Sequence, residues 1–391
     1  MRYTRSLVVG AALTLAAAIG LEAGGPAPQV KAQTCSSYYV ATGDGVPFGK
    51  DASDNGSSDD PETKAYPNKL TDNFLNKTGQ GGMNLGYWCL KNLSKDKTTT
   101  STYVNGSGAQ QAVAATFKPI LVTVQVGRWN SSIVNHVTTC FDEIKHHDFI
   151  TANTCALSVL LDQSAFDQLT KDLSGILGKY QTMMGNNSKM IVAVPGYFNP
   201  FPHPLTVMSK IPGFCAQLVD TIPTCIARWV MLPPALVTLD QVVKKLNSTI
   251  QPVVQRFATG NQGRFVWVDT YKDMNDHCMT MKVTIHTKVY HPPSTVDQHD
   301  TDETDFGCSA DGGTTWIGTD GNDVNKGFEP FTYLPPAVDG VLIYADHDTK
   351  SMGINPNDKG HTCIATLIWA GVWQKLGYTP SSKPATDCSG V

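Results

Sequence analysis

The chain is predicted to fold as an α/β protein with a doubly wound, mainly parallel sheet of about five strands, and two observations predict it. Four short apolar runs, rich in β-branched residues and bounded by Gly or Pro, have the pattern of strands buried on both faces. Segments with helical periodicity lie between them, and strands alternating with helices imply right-handed crossovers and helices on both faces of the sheet, a flavodoxin-like α/β/α sandwich.

The strands are expected at Tyr38–Thr42, Ile120–Val126, Met190–Val194 and Arg264–Val268. Ser164–Met183 puts Phe166, Leu169, Leu173, Ile176, Leu177 and Tyr180 on one helix face. Ala235–Phe257 does the same with Leu239, Val242, Val243, Leu246, Ile250, Val253 and Val254, and a further helix is expected over Gly360–Leu376. The polar stretches 51–60, 94–107 and 294–327 read as loops, and so does Asp346-His347-Asp348. In such sheets the site lies beyond the carboxyl ends of the strands, where Gly45, Gly127 and Gly196 fall.

With 391 residues, 41% hydrophobic and 16% charged, the chain has the composition of an ordered globular protein with ample core. A net charge of −4 without a Lys/Arg run beyond the N-terminus argues against nucleic acid or anionic membrane as the main partner. Residues 1–32 read as a secretory signal: Arg2 and Arg5 precede an apolar stretch from Leu7 to Leu21, and Val30-Lys31-Ala32 offers a cleavage site. No later stretch is apolar for long enough to span a bilayer. A secreted protein that is not integral to a membrane is expected, with residues 33–391 as a single domain.

Ten cysteines, all beyond residue 32, agree with export. Cys140 with Cys155, Cys215 with Cys225 and Cys363 with Cys388 are candidate disulfides by proximity in sequence, although connectivity does not follow from sequence. Asn-x-Ser/Thr sequons occur at Asn55, Asn76, Asn92, Asn105, Asn130, Asn186 and Asn247, which a Ser/Thr/Asn-rich exported surface also explains.

Four segments carry the candidate chemistry. Tyr38-Tyr39-Val40-Ala41-Thr42-Gly43-Asp44-Gly45 is an apolar run ending in Gly-Asp. Asn105-Gly106-Ser107-Gly108-Ala109 follows, then Ile120 to Gly127 with Arg128-Trp129-Asn130, and finally Asn355-Pro356-Asn357-Asp358-Lys359-Gly360-His361. In order and spacing these resemble the conserved blocks of the SGNH (GDSL) hydrolases, and with Val194–Pro200 the resemblance covers most of residues 35–376. It implies the three-layer SGNH fold and, as substrate class, small-molecule, lipid or glycan esters.

The same resemblance implies that the catalytic positions are empty. The nucleophilic serine belongs at Gly45, the oxyanion asparagine at Trp129 (or, with a one-residue slip, at Asn130), the histidine base at Asn355 and its aspartate at Met352. An esterase of this kind needs a hydroxyl activated by an imidazole that a carboxylate orients. Loss of the nucleophile alone lowers turnover by about 10⁶-fold, and further losses do not add. Backbone N–H groups of Gly45 and Gly108, with Asn130, would still be able to hold a carbonyl or anion, the alternative being a pocket closed over by Trp129. Ser107, Asp358 and His361 are the groups from which a displaced site would have to be built. Asp358 to His361 has the family's Asp-x-x-His spacing but also reads as a helix start.

His146-His147-Asp148 and His299-Asp300 lack partners for a metal site. Asp51, Ser53, Asn55, Ser57, Asp59 and Glu62 fall on the oxygen-ligand positions of a calcium loop, with Gly56 at the turn. Ser58, Pro61 and the want of a flanking amphipathic helix favour a plain acidic loop. No cofactor is called for beyond this calcium candidate. Two functions follow: a degenerate relative that binds an acyl, glycan or cell-surface ligand, or a carboxylester hydrolase working through displaced groups.

Overall fold

The computed structural model describes residues 34–49, 63–77, 86–105, 109–128, 133–145, 148–201, 204–205, 207–209, 211, 230–274, 281–291, 295–300, 304–306, 342–351, 356, 358–378 and 385–388. All but Thr34 belong to the unit Cys35–Val391. The signal-like segment 1–32, the calcium candidate 51–62, the expected Cys215–Cys225 pair, and Ser107, Gly108, Trp129, Asn130, Met352 and Asn355 lie outside the described residues.

Five parallel strands form the main sheet: β1 (Ser37–Gly43), β2 (Trp88–Asn92), β3 (Leu121–Gln125), β4 (Ile191–Pro195) and β5 (Phe265–Val268), in the order β2-β1-β3-β4-β5. This is the expected doubly wound arrangement. Every residue of β3 and β4 is buried, Thr123 and Gln125 included, as strands covered on both faces require. The chain winds one way from β1 to β2 and the other way through β3, β4 and β5, so the winding reverses between β1 and β3. That reversal opens a crevice beyond their carboxyl ends.

The helices are α1 (Gly45–Phe48), α2 (Tyr66–Leu70), α3 (Thr100–Val104), α4 (Gln110–Thr116), α5 (Ile133–Lys145), α6 (Phe149–Leu161), α7 (Gln163–Asn186), α8 (Leu232–Gly260), α9 (Tyr271–Met274) and α10 (Asp358–Val372). A π-helical turn, Thr71–Leu75, extends α2. In α7 and α8 every residue assigned to the apolar face is buried. The two helices pack against each other, and α8 packs against β5.

Adjacent residues of a strand point to opposite faces, which shows that both faces of the sheet are covered. Phe265 meets Phe257 of α8, ring centroids 5.3 Å apart. Its neighbour Val266 faces α10, where a Cβ on Gly371 would lie 3.1 Å from Val266 Cγ1. Likewise Thr42 hydrogen-bonds Tyr103 of α3 at 2.7 Å, and Tyr103 bonds Tyr180 of α7. Tyr39, on the other face, bonds Thr123 at 2.9 Å.

Three loop expectations need correction. The stretch 94–107 contains α3, started by a reciprocal cap in which Thr102 N–H donates to Thr99 Oγ1 (3.1 Å) and Thr99 N–H to Thr102 Oγ1 (2.9 Å). The stretch 294–327 contains β7 (Thr295–Asp300) and β8 (Thr304–Phe306), which pair antiparallel with β6 (Met281–His291). Asp346-His347-Asp348 lies within β9 (Leu342–Ser351), paired with β6 so that His347 opposes Ile285. The acidic residues suggested turns. Alternation with Thr and Val and a long partner strand override that preference.

Disulfides join Cys140 to Cys155 and Cys363 to Cys388, as their proximity suggested, and Cys35 to Cys89, which ties β1 to β2. The last encloses 54 residues against 15 for Cys140–Cys155. Loop-closure entropy then assigns about 4 kcal/mol to Cys35–Cys89 and about 3 kcal/mol to Cys140–Cys155. Replacing each pair by alanines and measuring unfolding in denaturant should give the larger loss for Cys35–Cys89. Equal or reversed losses would contradict the ranking.

Candidate functional site

The crevice is built outward from Gly43. The last residue of β1 has φ +140°, and a Cβ there would lie 2.1 Å from the Gln125 carbonyl oxygen, so only glycine lets β1 and β3 close together at this end. Gln110 of α4 grips the same residue with both ends of its amide: Gly43 N–H donates to Oε1 at 2.7 Å, and Nε2 donates to Gly43 O at 3.0 Å. Nε2 also reaches Thr98 Oγ1 at 3.0 Å, which fixes the loop after β2 to the end of β1.

Asp44 follows, with no exposed surface. It caps α1: its Oδ1 accepts the Val46 N–H at 3.1 Å, and its own N–H donates to Gln125 O at 2.9 Å. Oδ2 accepts the hydroxyl proton of Tyr197 at 2.7 Å, while the Arg128 N–H donates to the same Tyr197 oxygen at 3.3 Å. Tyr197 is held in turn by Asn247 of α8, whose Oδ1 accepts the Tyr197 N–H (2.8 Å) and whose Nδ2 donates to Tyr197 O (2.6 Å). That use of both amide groups, with Asn247 only 8% exposed, leaves this sequon no room for a glycan in the folded state. Burial pushes the Asp44 carboxyl above its ordinary pKa. The Arg128 guanidinium, the Tyr197 hydroxyl and the Val46 N–H pull the other way, and Asp96 adds to the rise.

Gly45 is the first residue of α1 and is buried. Where its Cβ would stand, Asp96 Oδ1 is 2.7 Å away and Arg128 Nη2 is 3.4 Å away. A carboxylate from the loop after β2 and a guanidinium from the end of β3 therefore flank the point from which a serine side chain would start. Asp96 is half-buried, in a turn where Lys97 has φ +56° and donates its N–H to Asp96 Oδ1 at 2.9 Å. Arg128 is 7% exposed.

Arg128 also borders a cavity of about 40 Å³ between α5, the segment after β4, and α8. The rest of its lining is apolar apart from the Tyr197 hydroxyl, already engaged with Asp44 and Arg128.

Of the groups from which a displaced site would be built, His361 is completely buried at the start of α10. Its Nδ1 accepts the Tyr66 N–H at 3.2 Å and its ring packs beside Tyr66, which joins α10 to α2. Asp358 is the first residue of α10, so the Asp358–His361 spacing falls on a helix start. Among the described residues no group of three or more His, Cys, Asp or Glu side chains is placed to hold a metal ion, and no helix is long and apolar enough to cross a membrane.

The sequence did not point to Asp96, Arg128, Tyr197 or Gln110. Arg128 and Tyr197 directly follow strand-end glycines, a position that could have singled them out. Asp96 carries no such mark, because its place depends on β2, which the sequence reading missed.

No protein-family model matches the chain, and no curated protein matches it. Among solved structures it is similar to an extracellular lipase from Streptomyces rimosus, at 16% identity over 62% of this chain and 83% of that one, with a TM-score of 0.41. It is also similar to a phospholipase A1 from Streptomyces albidoflavus, at 15% identity over 62% and 83%, TM-score 0.40. A third is the lipase Lip_vut3 from a goat rumen metagenome, at 16% identity over 60% and 81%, TM-score 0.33.

The raised pKa of Asp44 has a testable sign. A carboxyl whose folded pKa exceeds its unfolded value, 3.8, binds its proton more tightly in the native state. Its contribution to stability is complete below pH 3.8 and declines as pH rises through the folded value. Unfolding measured across pH 3.5 to 7 should therefore show the Asp44→Asn variant gaining stability relative to the parent as pH rises. A difference that stays flat, or slopes the other way, would contradict burial as the dominant influence.

Proposed function

We propose that this chain is a secreted relative of the SGNH hydrolases whose former catalytic centre binds a ligand without cleaving it. The four sequence blocks in family order support the ancestry, and the sheet order agrees with the fold that ancestry implies. The observation that carries the functional reading is the occupancy of the nucleophile position. Beside Gly45, where an esterase places its hydroxyl, stand the Asp96 carboxylate and the Arg128 guanidinium. Neither is a nucleophile activated by an imidazole. His361, engaged with the Tyr66 backbone, acts as a structural link between α2 and α10.

The ligand class, an acyl, glycan or cell-surface group, comes from the family resemblance. Secretion is supported by the signal-like residues 1–32 and by disulfides of the kind that persist in oxidising compartments.

Purified protein should leave short-chain p-nitrophenyl esters unhydrolysed above the buffer rate. The Gly45→Ser variant should also be inactive, because its side chain must displace Asp96 and the base position is Asn355. Turnover in the parent protein that disappears on Ser107→Ala or His361→Ala would overturn the proposal in favour of a working esterase.

A further inference from the structure

We propose that the outer face of α6 docks on a neutral or zwitterionic lipid surface, with the helix lying flat in the interface. The proposal does not depend on what the crevice beyond β1 binds.

A surface helix ordinarily buries one apolar stripe and shows polar residues on its other side. The inner side of α6 follows this rule, with Phe149, Ala152, Ala156 and Val159 buried. Its outer side does not. Ile150, Leu157 and Leu161 are 65%, 39% and 75% exposed. At about 100° per residue they fall within about 40° of one another, so they form a line along the helix instead of scattered exposures. No charged residue stands between Asp148 and Asp162, which cap its two ends.

The hydroxyls of α6 do not restore a hydrated face. Thr154 Oγ1 donates to Ile150 O at 2.9 Å and Ser158 Oγ to Cys155 O at 2.6 Å, both within the helix. Thr151 Oγ1 donates to Asp148 Oδ2 at 2.7 Å. In the last turn, Lys245 of α8 donates to Leu160 O at 2.7 Å. Polar groups already bonded within the protein lose little when water is removed from the surface.

Area and charge select the occupant. A helix of 13 residues is about 20 Å long and about 10 Å wide, a face of about 200 Å². A stable protein interface takes about 800 Å² from each partner, so this face alone is too small to hold a second copy. A lipid surface sets no such requirement, because apolar side chains enter the headgroup boundary individually. The helix is too short to span a bilayer. Acidic caps at both ends, with no basic residue between them, argue against attraction to an anionic surface and for a neutral one.

Flotation of the purified protein with phosphatidylcholine vesicles tests the proposal. The parent should float with them, and raising NaCl from about 0.1 M to about 0.5 M should leave the bound fraction unchanged. Leu157→Ser combined with Leu161→Ser should weaken partitioning by at least about 10-fold. Should that double variant fail to fold, Ile150→Ser, at the other end of the line, should lower the bound fraction in its place. A parent that does not float, or flotation that none of these substitutions reduces, would overturn the proposal. So would binding confined to phosphatidylglycerol vesicles and lost in salt. Sedimentation of the parent as a dimer that the double variant dissociates would overturn it in favour of an interface between copies.

Discussion

A carboxyl group with no exposed surface constrains everything around it, and at the end of β1 that group is Asp44. Buried polar groups must be hydrogen-bonded, or the desolvation penalty of several kcal/mol stands uncompensated. Asp44 meets this requirement through the Val46 N–H and the Tyr197 hydroxyl. Tyr197 can be where it is because Asn247 holds its backbone from α8, and Gly43 because Gln110 holds it from α4. The carboxyl ends of β1, β3 and β4 are thereby tied to both neighbouring helices. These hydrogen bonds link the crevice at the winding reversal to the helices behind it.

The bonds around Asp44 use backbone groups and side chains that do not depend on a nucleophile at Gly45. The space beside Gly45 is flanked by the Asp96 carboxylate and the Arg128 guanidinium. Arg128 borders the apolar cavity as well.

Long periodic elements were legible in the sequence because burial dictates them. The apolar faces of α7 and α8 and the all-buried strands β3 and β4 are cases where the hydrophobic pattern and the structure coincide. The edge strand β2 was not legible, since Trp-Cys-Leu-Lys-Asn lacks the apolar run of a central strand and its pairing depends on β1. Strands β7 and β9 were hidden for a different reason: Asp and His are poor strand formers locally, and only the long pairing with β6 organises them. At the site, Gly45 was evident as a departure from a family block. The groups that fill its place were not, because Asp96 arrives from a loop whose position is set by β2 and by the contact of Gln110 with Thr98.

The central claim, that no activated nucleophile remains, is tested most directly by intact-mass measurement after incubation with a fluorophosphonate. The account predicts an unmodified mass under conditions that fully label a serine esterase. A single stoichiometric adduct, mapped by peptide analysis to one serine of this chain, would contradict it.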